Sequence, residues 1–107
     1  MNSAKEAINV CGLGAGGTRN IGGTSVYHEK LEKELASLHK KEKALIMSSG
    51  YVANCATLEA LKSVLGDVLY ISDSKNHASL IDGIRSSRAE KKIFKHNDLV
   101  DLESILK

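Results

Sequence analysis

Three times after residue 43 the chain runs through the same succession of a short strand-like stretch, a turn of small or polar residues, and an amphipathic segment at helical spacing. The stretches are residues 44–47, 68–71 and 92–95; the turns are Ser48-Ser-Gly50, the SDSKN segment from Ser72, and His96 to Asp98. The spacing predicts helices over 51–65, closed by Gly66, over 77–87, with Leu80, Ile81 and Ile84 turned inward, and from Leu99, with Leu102, Ile105 and Leu106 on one face. Strands that alternate with helices about every twenty-four residues point to an α/β protein with a mostly parallel sheet. The crossover that a parallel pair requires is what each helix supplies.

The first part of the chain follows another rule. Residues 1–11 have room for one or two helical turns, and they lead into residues 12–24, where six of thirteen positions are glycine. Glycine reaches positive φ and allows close backbone approach at an entropic cost, so this stretch is predicted to be a loop that meets a ligand or another chain. From Thr24 or Ser25, either of which caps well, a helix is expected to about Lys41, with Tyr27, Leu31, Leu35 and Leu38 on one face. Its other face is charged and reads as solvated, with Glu29 and Lys33 as an i,i+4 pair, and His28 and His39 read as solvated helix positions. At 107 residues the chain is long enough for one domain and too short for two, and no linker divides 1–107.

Composition removes several classes of function. Fifteen Lys and Arg against thirteen Asp and Glu leave a net charge of +2 with the signs interleaved, and only four residues are aromatic, so neither a nucleic-acid footprint nor a stacking platform is expected. No apolar run approaches the roughly eighteen residues of a membrane helix, and the opening MNSAKEAINV has neither a signal-peptide core nor an Arg-rich transit pattern. Cys11 and Cys55 stand far apart, and the four histidines lack metal-ligand spacing, so no disulfide scaffold and no metal site is expected.

Ligands of open α/β sheets bind at the carboxyl ends of the strands, where helix N-termini point. That rule selects residues 48–51, 72–77 and 96–98, the first as a phosphate-holding helix start and the second for His77 at a strand-to-helix junction. Two motifs are decoys. Gly12, Gly14 and Gly17 match G-x-G-x-x-G, but Gly22 and Gly23 would break the helix that such a turn must open. Ser72 and Lys75 match S-x-x-K without the companion motifs of serine acyl-enzymes.

Longer motifs narrow the reading. Gly14-Ala-Gly-Gly-Thr-Arg-Asn-Ile-Gly-Gly-Thr24, His28, Ser48-Ser-Gly-Tyr-Val-Ala-Asn54, Ser72-Asp73, Asn76-His-Ala-Ser-Leu-Ile-Asp-Gly-Ile-Arg-Ser86 and Phe94-Lys-His-Asn-Asp98 follow one another across essentially the whole chain. In this order and spacing they resemble the α-oxoamine synthase family of fold-type I pyridoxal-phosphate enzymes, and G-T-R-N-I resembles its 5-aminolevulinate synthase branch. The resemblance implies a large-domain fragment of that α/β fold and an acyltransferase that condenses glycine with succinyl-CoA to 5-aminolevulinate, CoA and CO2, the entry to haem and other tetrapyrroles. The resemblance further implies a homodimer in the full-length protein, in the cytoplasm of a bacterial source or the mitochondrial matrix of a eukaryotic one. Alternatives are another α-oxoamine synthase, such as glycine C-acetyltransferase or 8-amino-7-oxononanoate synthase, and a non-catalytic α/β module that holds a phosphate.

Carried over residue by residue, the resemblance implies that Gly50 and Tyr51 hold the phosphate of pyridoxal 5'-phosphate with their backbone, and that His77 stacks on its pyridine ring and assists the carbonyl chemistry. Thr18, Asn20 and Ile21 would line a succinyl pocket with Arg19 alongside, Ser72 would contact succinyl-CoA, and Lys91 would reach a CoA phosphate. Family members are several times longer, and their Schiff-base lysine, pyridine-binding aspartate and carboxylate-binding arginine would fall beyond Lys107. The chain is therefore expected to be a segment of the catalytic core, inactive when isolated, whose strand at 44–47 lacks its neighbours.

Overall fold

In the computed structural model, which describes residues 2–107, the elements run α1 (Asn2–Cys11), α2 (Val26–Leu38), α3 (Gly50–Leu65), β1 (Leu69–Asp73), α4 (Ala78–Ser87), β2 (Glu90–Phe94) and α5 (Leu99–Leu106). They fall into two units, Met1–Ile46 and Met47–Lys107.

In the first unit α1 is longer than the one or two turns expected, and it stops where Gly12, at φ 75°, donates its N–H to Ile8 O at 2.8 Å. The left-handed turn is one that glycine makes without a Cβ penalty. The loop that follows closes on a single acceptor: Thr18 O receives the N–H groups of Ile21, Gly22 and Gly23 at 3.1, 3.1 and 2.7 Å. A Cβ on Gly23 would collide with Gly17 O, so no larger residue fits there. Helix α2 starts after Ser25, as the capping pattern predicts. Its expected apolar face stays largely open, with Tyr27, Leu31 and Leu38 exposed and only Ala36 buried. A segment this short has too little partner surface to cover such a face.

The second unit is built around a parallel pair, β1 against β2, in register from Leu69 with Glu90 to Asp73 with Phe94. Helix α3 is capped by Ser49 and ends at Gly66, φ 77°; α4 and α5 start after His77 and Asp98, whose side chains each accept a helix N–H. Helices α3 and α4 cross closely at Gly83, where a Cβ would stand 2.9 Å from both Cys55 Cα and Leu58 Cδ1. Tyr70 on β1 fastens the sheet to α3 by donating its hydroxyl to Leu58 O at 2.6 Å. Ile84 is buried at this crossing, whereas Ile81, expected inward, is 45% exposed one step round the helix.

Two strand expectations need correction. Residues 44–47 form no strand, because the sheet holds only β1 and β2 among the described residues. Side chains replace the missing ladder: Ile46 N donates to Glu32 Oε1 at 2.8 Å, and Arg19 Nη1 donates to Ile46 O at 3.1 Å. The last strand begins at Glu90 rather than Lys92, since an edge strand exposed on its flanks accepts charged residues that its apolar content does not mark.

Candidate cofactor site

The start of α3 is prepared for an anion by its cap. Ser49 accepts the N–H of Val52 on its hydroxyl at 3.2 Å and that of Ala53 on its carbonyl at 3.0 Å. Gly50 and Tyr51 occupy the first two helical positions, whose N–H groups have no acceptor within their own helix. A Cβ built on Gly50 meets nothing within 4 Å, so the approach is open. Free amides and the positive end of the helix dipole fit a phosphate.

His77 stands beside this helix start. Its ring centroid lies 6.2 Å from that of Tyr51 with the planes at 71°, an edge-to-face contact. The Tyr51 hydroxyl donates to Asp82, which also receives Arg85 Nη2 at 2.6 Å; the bond to Asp82 raises the Tyr51 hydroxyl above its ordinary pKa and keeps it a donor. His77 caps α4 through Nδ1, which receives the N–H of Ser79 at 3.2 Å, yet the residue remains exposed. Capping and exposure therefore coexist in one residue.

Ser72 is only 6% exposed and accepts from Asn76 Nδ2 at 2.9 Å, so a contact with succinyl-CoA would require this pair to open. Lys91 is exposed on β2 opposite Tyr70. The ends of both strands are clasped by Asp73, which accepts from Lys75 N at 2.7 Å, Asn97 N at 3.0 Å and His96 Nδ1 at 2.9 Å. These donors, the two backbone amides foremost, hold its carboxyl down at about 2 from 3.8. A depressed carboxyl contributes stability that is complete above its unfolded pKa and vanishes as pH falls through the folded one. Protection of the Lys75 and Asn97 amides, relative to an unstructured peptide at the same pH, is therefore expected to fall between about pH 3.8 and 2, and Asp73→Asn to remove that pH dependence.

In the first unit Thr18, Asn20 and Ile21 form the outer turn of the glycine loop, exposed, with Ile21 at 89%. Arg19 faces the other way. Its Nη1 and Nη2 grip Glu32 at 2.6 and 3.2 Å, and its Nε donates to Thr24 Oγ1 at 3.2 Å. Those bonds make it the brace of the loop that presents Thr18, Asn20 and Ile21. His28 is half-buried rather than solvated: its Nδ1 receives the N–H of Ser25 at 3.1 Å, and it lines a cavity of about 290 Å³ with Tyr27, Leu31 and Ile46. Sequence reasoning quoted Asn54 and Ser79 within longer motifs but gave them no role; they bond to one another at 2.8 Å, a pairing across two helices that neither helix's own pattern marks.

The chain is similar to known proteins along nearly its whole length. The chain is 55% identical to 5-aminolevulinate synthase 1 of Cereibacter sphaeroides over 99% of its length and 26% of that protein's. It is 58% identical to the Rhizobium meliloti 5-aminolevulinate synthase over 95% of its length and 25% of that protein's. The mitochondrial 5-aminolevulinate synthase of Debaryomyces hansenii is 53% identical over 99% of the chain and 18% of the relative. The chain thus spans about a quarter or less of the length of these relatives. Among solved structures it superposes on serine palmitoyltransferase from S. paucimobilis with bound PLP-myriocin aldimine at a TM-score of 0.85, with 33% identity over 98% of the chain and 27% of that structure. The 8-amino-7-oxononanoate synthase from Francisella tularensis gives 0.76 with 28% identity, over 97% of the chain and 28% of that structure. The α/β fold is therefore that of the matching segment of these transferases. A family model, "Aminotransferase class I and II", matches residues 1–107, and the chain belongs to that family.

Proposed function

We propose that this chain is part of a pyridoxal-phosphate-dependent 5-aminolevulinate synthase, which condenses glycine with succinyl-CoA to 5-aminolevulinate, CoA and CO2. The observation that carries the reading is the open helix start at Gly50 and Tyr51 with the exposed His77 ring beside it. The 50–58% identity to proteins of that name favours this acyl transfer over that of 8-amino-7-oxononanoate synthase, for which the Francisella tularensis structure gives 28%. When bound, pyridoxal phosphate supplies the electron sink for a glycine carbanion.

The chain's own residues bind and orient. The amides of Gly50 and Tyr51 take the phosphate, and His77 offers its ring face to the pyridine and a polar edge to the reacting carbonyl. Thr18, Asn20 and Ile21 present the glycine loop to the succinyl group, with Arg19 as its brace; Lys91 and Ser72 serve the acyl-CoA. The full protein is a homodimer in this reading, with 1–107 as one partial domain, and its setting is the bacterial cytoplasm or the mitochondrial matrix. No helix among the described residues is long and apolar enough to cross a membrane.

Titration of the labelled chain with pyridoxal phosphate is expected to move the amide signals of Gly50 and Tyr51 and the ring signals of His77. Pyridoxal, lacking the phosphate, is expected to bind about tenfold or more weakly, the worth of charge-assisted hydrogen bonds of about 1.5–3 kcal/mol. Borohydride is expected to leave no single-lysine adduct. Unmoved amides, or one reduced lysine within 1–107, would overturn the reading.

A further inference from the structure

The polar network beneath His77 fixes more than a ring position. A backbone N–H only donates, so the Ser79 amide 3.2 Å from His77 Nδ1 makes that nitrogen an acceptor. The Ser79 hydroxyl, 2.8 Å from the same nitrogen, must then donate as well. Its oxygen is left to accept, and Asn54 Nδ2 donates to it at 2.8 Å. Ser79 is fully buried at 0% exposure, and Cys55 Sγ donates to its carbonyl at 3.3 Å, so the hydroxyl has no water to turn toward. The chain of donors runs one way, from Asn54 through Ser79 to His77, and it ends with the imidazole proton on Nε2.

We infer that Ser79, backed by Asn54, is a positioning residue that holds His77 as its Nε2–H tautomer, so that the group presented beside the α3 helix start is a hydrogen-bond donor. The partner this suits is an acceptor oxygen, a carbonyl or carboxylate, and not a proton awaiting removal. The bearing on catalysis rests on the function proposed above, whereas the tautomer does not. The chain carries its own reference signals. His28 receives Ser25 N and lies 2.9 Å from Ser25 Oγ, the same geometry, so it too is an Nε2–H form. His96 is the opposite: Nδ1 faces the Asp73 carboxylate at 2.9 Å, which can only accept, so its proton sits on Nδ1.

Long-range proton–nitrogen correlation spectra of the labelled 107-residue chain, at mildly alkaline pH where imidazoles are neutral, read these states directly. His77 is expected to match His28 and to differ from His96. An Nδ1–H signal or an averaged pattern for His77 in the native chain would overturn the inference, whatever the variants do. Ser79→Ala, which keeps the cap amide but removes the hydroxyl donor, should weaken the single-tautomer pattern toward an average, and Ser79→Thr should restore it. Asn54→Asp, which gives the Ser79 hydroxyl an acceptor to point at, should shift His77 toward Nδ1–H; an unchanged His77 in folded Asn54→Asp would count against the relay. Pyridoxal phosphate separates the two claims. Cofactor shifts without the single tautomer sink the positioning role alone, and the single tautomer with no response at Gly50, Tyr51 or His77 leaves it standing while the proposed function fails.

Discussion

Gly83→Val is expected to unfold the helix pair of the second unit, and Gly83→Ala to weaken it measurably. In a helix interior an alanine normally gains about 1 kcal/mol over glycine, so the simple expectation is stabilisation. Here the added carbon would meet Cys55 Cα and Leu58 Cδ1 at 2.9 Å and Asn54 O at 3.3 Å. Leu58 can turn away, but the other two are backbone, so α3 and α4 would have to separate. Overpacking of this kind costs about 1–3 kcal/mol, which offsets the propensity gain and leaves a net loss of up to about 2 kcal/mol for alanine. Valine adds two branches and recovers less propensity. Separation of the helices would also spread Asn54 from Ser79, so His77 should lose its order along with the crossing. Urea unfolding followed by circular dichroism gives the test; a rise in midpoint for Gly83→Ala would mean the helices do not approach as closely as described.

The second large effect is expected at Arg19 and Glu32. Arg19 reaches two oxygens of Glu32 and one of Ile46 at once, a planar fork that lysine does not reproduce. Arg19→Lys is therefore expected to release the glycine loop even though the charge is kept, seen as faster amide exchange at Gly23 and Ile46. The bonds from Arg19, then from Ile46 N, hold the Glu32 carboxyl down at about 2 from 4.5. A lowered carboxyl pKa gives stability that is complete above the unfolded value, so the loop should hold at neutral pH and loosen between about pH 4.5 and 2. Glu32→Gln should be loose at every pH across that window. Equal acid sensitivity in Glu32→Gln and the native chain would assign the transition to another group.

How much of this was visible in the sequence depends on whether the cause was local. Ser25, Ser49, His77, Gly66 and Asp98 mark their helix ends because capping needs only a few residues on either side. The helix start at Gly50 and Tyr51, and His77 beyond β1, were legible for the same reason. Residues 44–47 were misread because a strand exists only when something pairs with it, and the two side chains that satisfy Ile46 come from 14 and 27 positions away. His28 was misread as solvated because its neighbour in the cavity, Ile46, is likewise remote in sequence. Asn54 and Ser79 are 25 residues apart on different helices, and nothing in either helix alone announces their bond.

The pairing of β1 with β2 has a further consequence. A sheet of two parallel strands has an unoccupied edge on each side, and each edge offers a row of backbone donors and acceptors to whatever strand arrives. Two strands by themselves are marginal in water. The pair is thus governed by mass action: any extended segment that docks on an edge, from its own polypeptide or another, adds its binding free energy to the stability of the sheet. Dilution and the supply of such a segment, as much as any residue within 69–94, decide how firmly these strands hold the ends that carry Asp73 and His96.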